Sequence, residues 1–158
     1  MTLTARPSSF RPTSLLDLRV AVYVFAIGLS VHGTDHLVRG LRTDNHHAAW
    51  PGQIQVILAG GTVVISLFTI ALVRSGHRWA PVGAAIIGFG AAATFLLLHM
   101  SPGWAPWIDT FMSPQSGAMV NDYSWVTAAL GISSCMLLGV AGVLAARRGT
   151  YRATASGR

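Results

Sequence analysis

His32, Asp35 and His36 lie inside one apolar stretch of the chain, in the run His-Gly-Thr-Asp-His at 32–36. On a helix, spacings of three and four bring the three side chains to one face. Two imidazoles at i and i+4 form half of a metal site, and a carboxylate beside them acts as a further ligand or as the partner that orients a ring. Ionisable groups within an apolar span are costly and point into the protein or a water-filled cavity, so this face is expected to look inward. A third histidine, His99, ends another apolar stretch together with Met100. His32, His36 and His99 would supply three nitrogens, with Asp35 or, less favourably, Asp122 as fourth ligand or orienting partner. Three such ligands with an open position suit zinc, and copper or non-haem iron accepts similar donors. Met100, Met112 and Met119 would suit Cu(I), and a haem held axially between His36 and His99 is a further option.

The same residues fit a structural network without any cofactor. Asp35 and Arg39 have the spacing of a helix-end ion pair. His32 can donate to a carbonyl or to Asp35, His36 can sit in interfacial water, and His99 can satisfy the last carbonyls of its own helix. The residues alone leave both readings open.

The elements that must position these side chains are legible in the composition. Of 158 residues, 52% are hydrophobic and 10% charged, with a mean hydropathy of +0.53. Soluble domains carry about a quarter charged residues, and disordered chains are poor in apolar ones; neither description fits. The apolar residues gather into four blocks, at about 20–38, 53–73, 79–100 and 123–146. As helices the shortest would extend about 28 Å, close to the hydrocarbon thickness of a bilayer. The expected fold is an all-α, four-helix transmembrane bundle forming a single membrane domain over 1–158, with outer loops at 39–52 and 101–122. The first and third helices then end on the side where the second and fourth begin. That brings Gln53, Gln55, Asp122 and Tyr123 to the layer of the histidines.

Charge sets the orientation. All eleven basic residues are arginine and all five acidic ones aspartate. Nine arginines (6, 11, 19, 74, 78, 147, 148, 152 and 158) fall on one side of the spans and two (39 and 42) on the other. The positive-inside rule puts both termini in the cytoplasm and the histidine layer outside, in a multi-pass protein of the cell membrane. The net charge of +6 is explained by these flanks and needs no nucleic acid. An arginine-bearing leader precedes the first block, but the block is long for a signal peptide and carries no small-x-small cleavage site, so it is expected to be retained.

Other local signals are smaller. Ser14 to Asp17 has capping-box spacing, Asn121 or Asp122 can cap the fourth helix, and Pro51-Gly52 opens the second. His46 and His47 fall in a loop, and His77 lies among arginines in a turn suited to solvent or headgroup contact. Cys135, the lone cysteine, forms no intramolecular disulfide. Gly131, Cys135 and Gly139, and Ala84, Gly88 and Ala92, are small-xxx-small stripes that mark close helix approach, within the bundle or against a membrane-protein partner or second copy. The chain lacks a phosphate-binding glycine loop, a His-Glu-x-x-His motif and a nucleophile elbow, and its inner halves lack the polar steps of an ion path.

The run from His32 to Gly40, followed by His99-Met-Ser-Pro-Gly-Trp and Asp109-Thr-Phe, resembles small four-span integral membrane proteins of actinobacteria, a resemblance that implies the fold and no activity. Three functions are compatible with the chain: a small metal- or haem-binding membrane protein with a His/Asp site, a non-catalytic accessory subunit of a larger membrane complex, and an enzyme acting on a lipid or quinone at the outer interface.

Overall fold

The computed structural model of the chain describes residues 17–42, 52–102, 110–112 and 119–148, with the side chains at 40–42 and 52–59 left aside. Four α-helices follow one another: α1 (Leu18–Arg42), α2 (Gly52–Arg74), α3 (Ala80–Phe95), which continues into a π-helical turn (Leu96–Met100), and α4 (Asp122–Arg148). The described residues contain no strand. The expected spans coincide with these helices to within two residues at every end but one: α1 runs on to Arg42, four residues past the expected limit at 38. Three stretches, Leu18–Arg39, Ala80–Met100 and Asp122–Arg148, are long and apolar enough to cross a membrane, whereas the apolar segment found within α2, Gly60–Arg74, is shorter.

The helix ends follow local chemistry. Asp17 itself caps α1, its Oδ1 accepting from the Arg19 N–H at 2.8 Å and its carbonyl accepting from Ala21 at 2.9 Å. The aspartate is therefore the cap and not the third residue of a box; Ser14 lies outside the described residues. At α4 Asn121 is the cap, its Oδ1 accepting from the Ser124 N–H at 3.2 Å while the Ser124 hydroxyl accepts from the Asn121 N–H at 3.4 Å. These reciprocal bonds satisfy two donors that a helix start would otherwise leave open. Gly76, at φ 63°, takes the left-handed conformation that ends α2 and turns the chain into α3. Pro81 sits in the first turn of α3, where its missing N–H costs nothing.

The two small-residue stripes face each other. Ala84, Gly88 and Ala92 of α3 and Gly131, Cys135, Gly139 and Gly142 of α4 are all buried. A Cβ placed on Gly88 would lie 2.7 Å from the Cys135 carbonyl oxygen and 2.8 Å from the Gly139 Cα, and one on Gly142 would lie 2.5 Å from the Ala85 nitrogen. The α3–α4 seam is thus backbone against backbone, and these stripes are occupied inside the bundle. α1 packs on α4 with Val22, Phe25 and Leu29 buried, and Gly28 meets Ser134 where the two helices cross. α2 is the least covered element: its described side chains bury Thr69 and Val73 but expose Val63, Val64, Ile65, Leu67 and Phe68. An apolar surface this continuous is foreign to a water-soluble monomer and is suited to lipid contact.

Candidate metal centre

α1 presents His32 and Asp35 to the interior, with His36 beside them on the more exposed edge of the same face. His32 is 3% exposed and His99, carried by the π-helical turn, 5%. The turn follows directly from α3, and such wide turns recur where a helix must aim a functional side chain. The three rings converge nitrogen to nitrogen: His32 Nε2 lies 2.9 Å from His36 Nε2 and 3.2 Å from His99 Nε2. All three donor atoms fall within 4.8 Å of one another.

The neighbours of the rings assign their protons. The Thr127 hydroxyl donates to the Ser124 carbonyl at 3.0 Å, so toward His32 Nδ1, 3.5 Å away, it accepts. His32 then carries its proton on Nδ1 and turns the lone pair of Nε2 to the cluster. An arginine has no acceptor, so the Arg39 Nη2 at 3.3 Å from His36 Nδ1 donates to it. That places the His36 proton on Nε2, aimed at His32. One lone pair on His32 Nε2 is therefore approached by two rings at once. A cation at the point of convergence resolves this crowding, because it accepts a lone pair from each ring. For His36 that requires its proton to leave Nε2, and Arg39 to relinquish Nδ1.

The distances suit a small ion. Bonds of about 2.0–2.1 Å in a tetrahedral site separate nitrogens by about 3.3 Å, near the two shorter separations observed. Closing the third takes rotation of one imidazole. Haem does not fit this arrangement. The rings of His36 and His99 have centroids 5.4 Å apart, ordinary ring-to-ring contact, and a porphyrin plane would have to part the helices to pass between them.

Asp35 does not join the donor set. Its carboxylate, on a side chain 1% exposed, accepts from Arg39 Nε at 2.8 Å on Oδ2 and from the Ser124 hydroxyl at 2.8 Å on Oδ1. It ties α1 to α4 and holds the arginine that faces His36, which is the ion-pair reading of the sequence with Ser124 added. Asp122 is exposed at the start of α4 and stands outside the group of donors. Met112 and Met119 are exposed, His77 is an exposed turn residue whose Nδ1 accepts from the Trp79 N–H, and the Tyr123 hydroxyl meets Thr34 instead of the histidines. His46, His47 and the side chains of Gln53 and Gln55 lie outside the described residues.

Two phenylalanines that the sequence did not single out enclose the cluster. Phe95, one turn before His99, has its ring 4.8 Å from that of His32. Phe111 reaches back from the 101–122 connection: its N–H donates to the His99 carbonyl at 2.8 Å, its ring lies 4.8 Å from the His99 ring, and it is 4% exposed. The Arg39 guanidinium sits over the Phe111 ring, 5.4 Å from its centroid, and Trp125 packs 5.5 Å away. At Phe111 the connection therefore lies against the histidines. We expect Phe111→Ala to raise the rate at which diethylpyrocarbonate modifies His99 severalfold, with the exposed His77 as internal reference; equal rates in the two proteins would show that Phe111 is no cover.

Fold and cluster together define an all-helical, membrane-associated protein with a three-histidine group able to hold a metal ion. No protein-family description, curated protein or solved structure gives a significant match to the chain.

Proposed function

We propose that the protein is a four-span membrane metalloprotein that holds one transition-metal ion through His32, His36 and His99, in a layer on the extracytoplasmic side. The observation that carries this reading is the convergence of three imidazole nitrogens from two helices on one point, walled by Phe95 and Phe111. Three neutral imidazoles and one open position match the coordination habit of zinc most closely, ahead of copper and iron. Thr127, accepting from His32 Nδ1, then acts as the outer partner that orients that ring. α2, at 23 residues, is long enough to be the fourth span, and the arginine asymmetry supports cytoplasmic termini. The likeness to four-span actinobacterial membrane proteins agrees with this architecture.

Elemental analysis of detergent-purified protein, equilibrated in turn with zinc, copper and iron salts and then desalted, tests the proposal. One ion per chain is expected in the wild type and none in the His32→Ala/His36→Ala/His99→Ala variant. The bound ion should also raise the melting temperature of the wild type alone, since a ligand that binds only the folded state stabilises it. Acidification should release the ion, because protons compete for the same lone pairs. A wild type that retains none of the three metals would return the cluster to a structural role.

A further inference from the structure

At the opposite end of the bundle from the histidines, the first two turns of α1 and the last turn of α2 line a recess of about 240 Å³ formed by Arg19, Val22, Tyr23, Val73 and Arg74. Val22 and Val73 form a fully buried apolar floor. Arg74 Nη1 donates to the Tyr23 hydroxyl oxygen at 3.1 Å, which fixes the guanidinium across the mouth and leaves the phenolic O–H as a donor. No described carboxylate forms an ion pair with either arginine; Asp17, the nearest acid in sequence, turns Oδ1 to the backbone N–H of Arg19. Two guanidinium groups and a phenol thus share one pocket, and among the described residues no carboxylate pairs with them. Arginine forks match phosphate oxygens in both geometry and charge.

The depth of the recess identifies the source of the phosphate. Arg19 and Arg74 stand at the ends of the apolar segments Leu18–Arg39 and Gly60–Arg74. Trp79, 56% exposed with Arg78 at 5.6 Å from its ring, begins α3 at the same end. A tryptophan and arginines at one level mark the headgroup layer. Toward the middle of the span α1 and α2 expose Val24, Ile27, Leu67 and Phe68, surfaces fit for acyl chains. We propose that the recess between α1 and α2 is a binding site for the phosphodiester headgroup of an anionic phospholipid, with Arg19, Arg74 and Tyr23 as its donors. A zwitterionic lipid carries the same phosphate, but its ammonium would stand beside two guanidinium groups.

Native mass spectrometry of the detergent-solubilised protein with added phosphatidylglycerol, phosphatidylcholine or inorganic phosphate tests this. The wild type should retain phosphatidylglycerol in preference to phosphatidylcholine. In Arg19→Gln/Arg74→Gln, phosphatidylglycerol retention should fall about twenty-fivefold, at roughly fivefold for each arginine near a headgroup. Arg147→Gln/Arg148→Gln removes the same charge from the exposed end of α4 and should leave retention unchanged. Equal retention of the two lipids by the wild type would overturn the proposal whether or not the variants fold. An equal loss in both double variants would reduce the effect to net charge and overturn it too. Displacement of the lipid by millimolar inorganic phosphate would assign the recess to free phosphate and remove the lipid.

Discussion

Gly88→Val is expected to destabilise the protein by about 3 kcal/mol or more, in the range seen when side-chain volume is forced into a filled interior. The atoms that a Cβ at position 88 would strike are the Gly139 backbone and the Cys135 carbonyl. Neither can rotate away, as the end of a flexible side chain could, so α3 and α4 would have to separate along the whole seam. Gly90, two residues on, is the control: nothing lies within 4 Å of a Cβ built there. Gly90→Ala should be neutral or stabilising by about 0.5–1 kcal/mol, because alanine loses less backbone freedom in a helix than glycine does. Thermal unfolding in one detergent, followed by helicity, separates the two. Similar melting temperatures for both variants would mean that the α3–α4 contact is not backbone to backbone.

The second large effect is expected at Asp35. Removing one member of a buried ion pair costs about 3–5 kcal/mol, whereas replacing both members by apolar residues is often close to neutral. Asp35→Ala takes away the carboxylate that accepts from Arg39 and from the Ser124 hydroxyl, and leaves the guanidinium charge facing the imidazoles. Asp35→Leu/Arg39→Met should recover most of that loss. The same double-mutant cycle reads the metal site: binding through His36 Nε2 requires Arg39 to relinquish Nδ1, so the double variant should fold and bind metal at least as tightly as the wild type. A double variant as unstable as Asp35→Ala would locate the effect in the bond to Ser124 and not in the charge pair.

The sequence yielded the helices and half of the site. The limits of the four apolar blocks survive to within two residues except at the end of α1, which runs past Arg39 to Arg42 because that arginine pairs with Asp35 one turn back and does not stop the helix. His32 and His36 were legible as an i, i+4 pair, and His99 was placed at the right depth by counting span lengths. What stayed hidden depended on contacts between distant segments. Asp35 looked like a ligand because spacing shows which residues share a face but not which oxygen is already engaged. Its partner Ser124 stands 89 positions away. A weak signal for that partner did exist, since Ser124, Thr127 and Ser134 lie three and seven apart on an otherwise apolar helix and trace one polar line. Phe111 left no such trace. A single aromatic in a loop rich in proline and tryptophan reads as interfacial, and only the bond from its N–H to the His99 carbonyl reveals its place over the cluster. The π-helical turn was equally unreadable, since nothing in Leu-Leu-Leu-His-Met distinguishes it from plain α-helix.

The uneven packing of the helices bears on how the molecule meets membranes of different thickness. α3 and α4, in contact along their backbones, form a strut with little freedom to shear, and α1 is pinned to α4 at Gly28 and Asp35. α2 is held by far less surface. When the hydrocarbon slab is too thin or too thick, a span answers by tilting, and the helix that tilts most readily is the one with the fewest neighbours to displace. In the proposed four-span arrangement, mechanical strain from the bilayer should then be taken up by α2, while the histidines, all borne by α1 and the end of α3, keep their mutual distances.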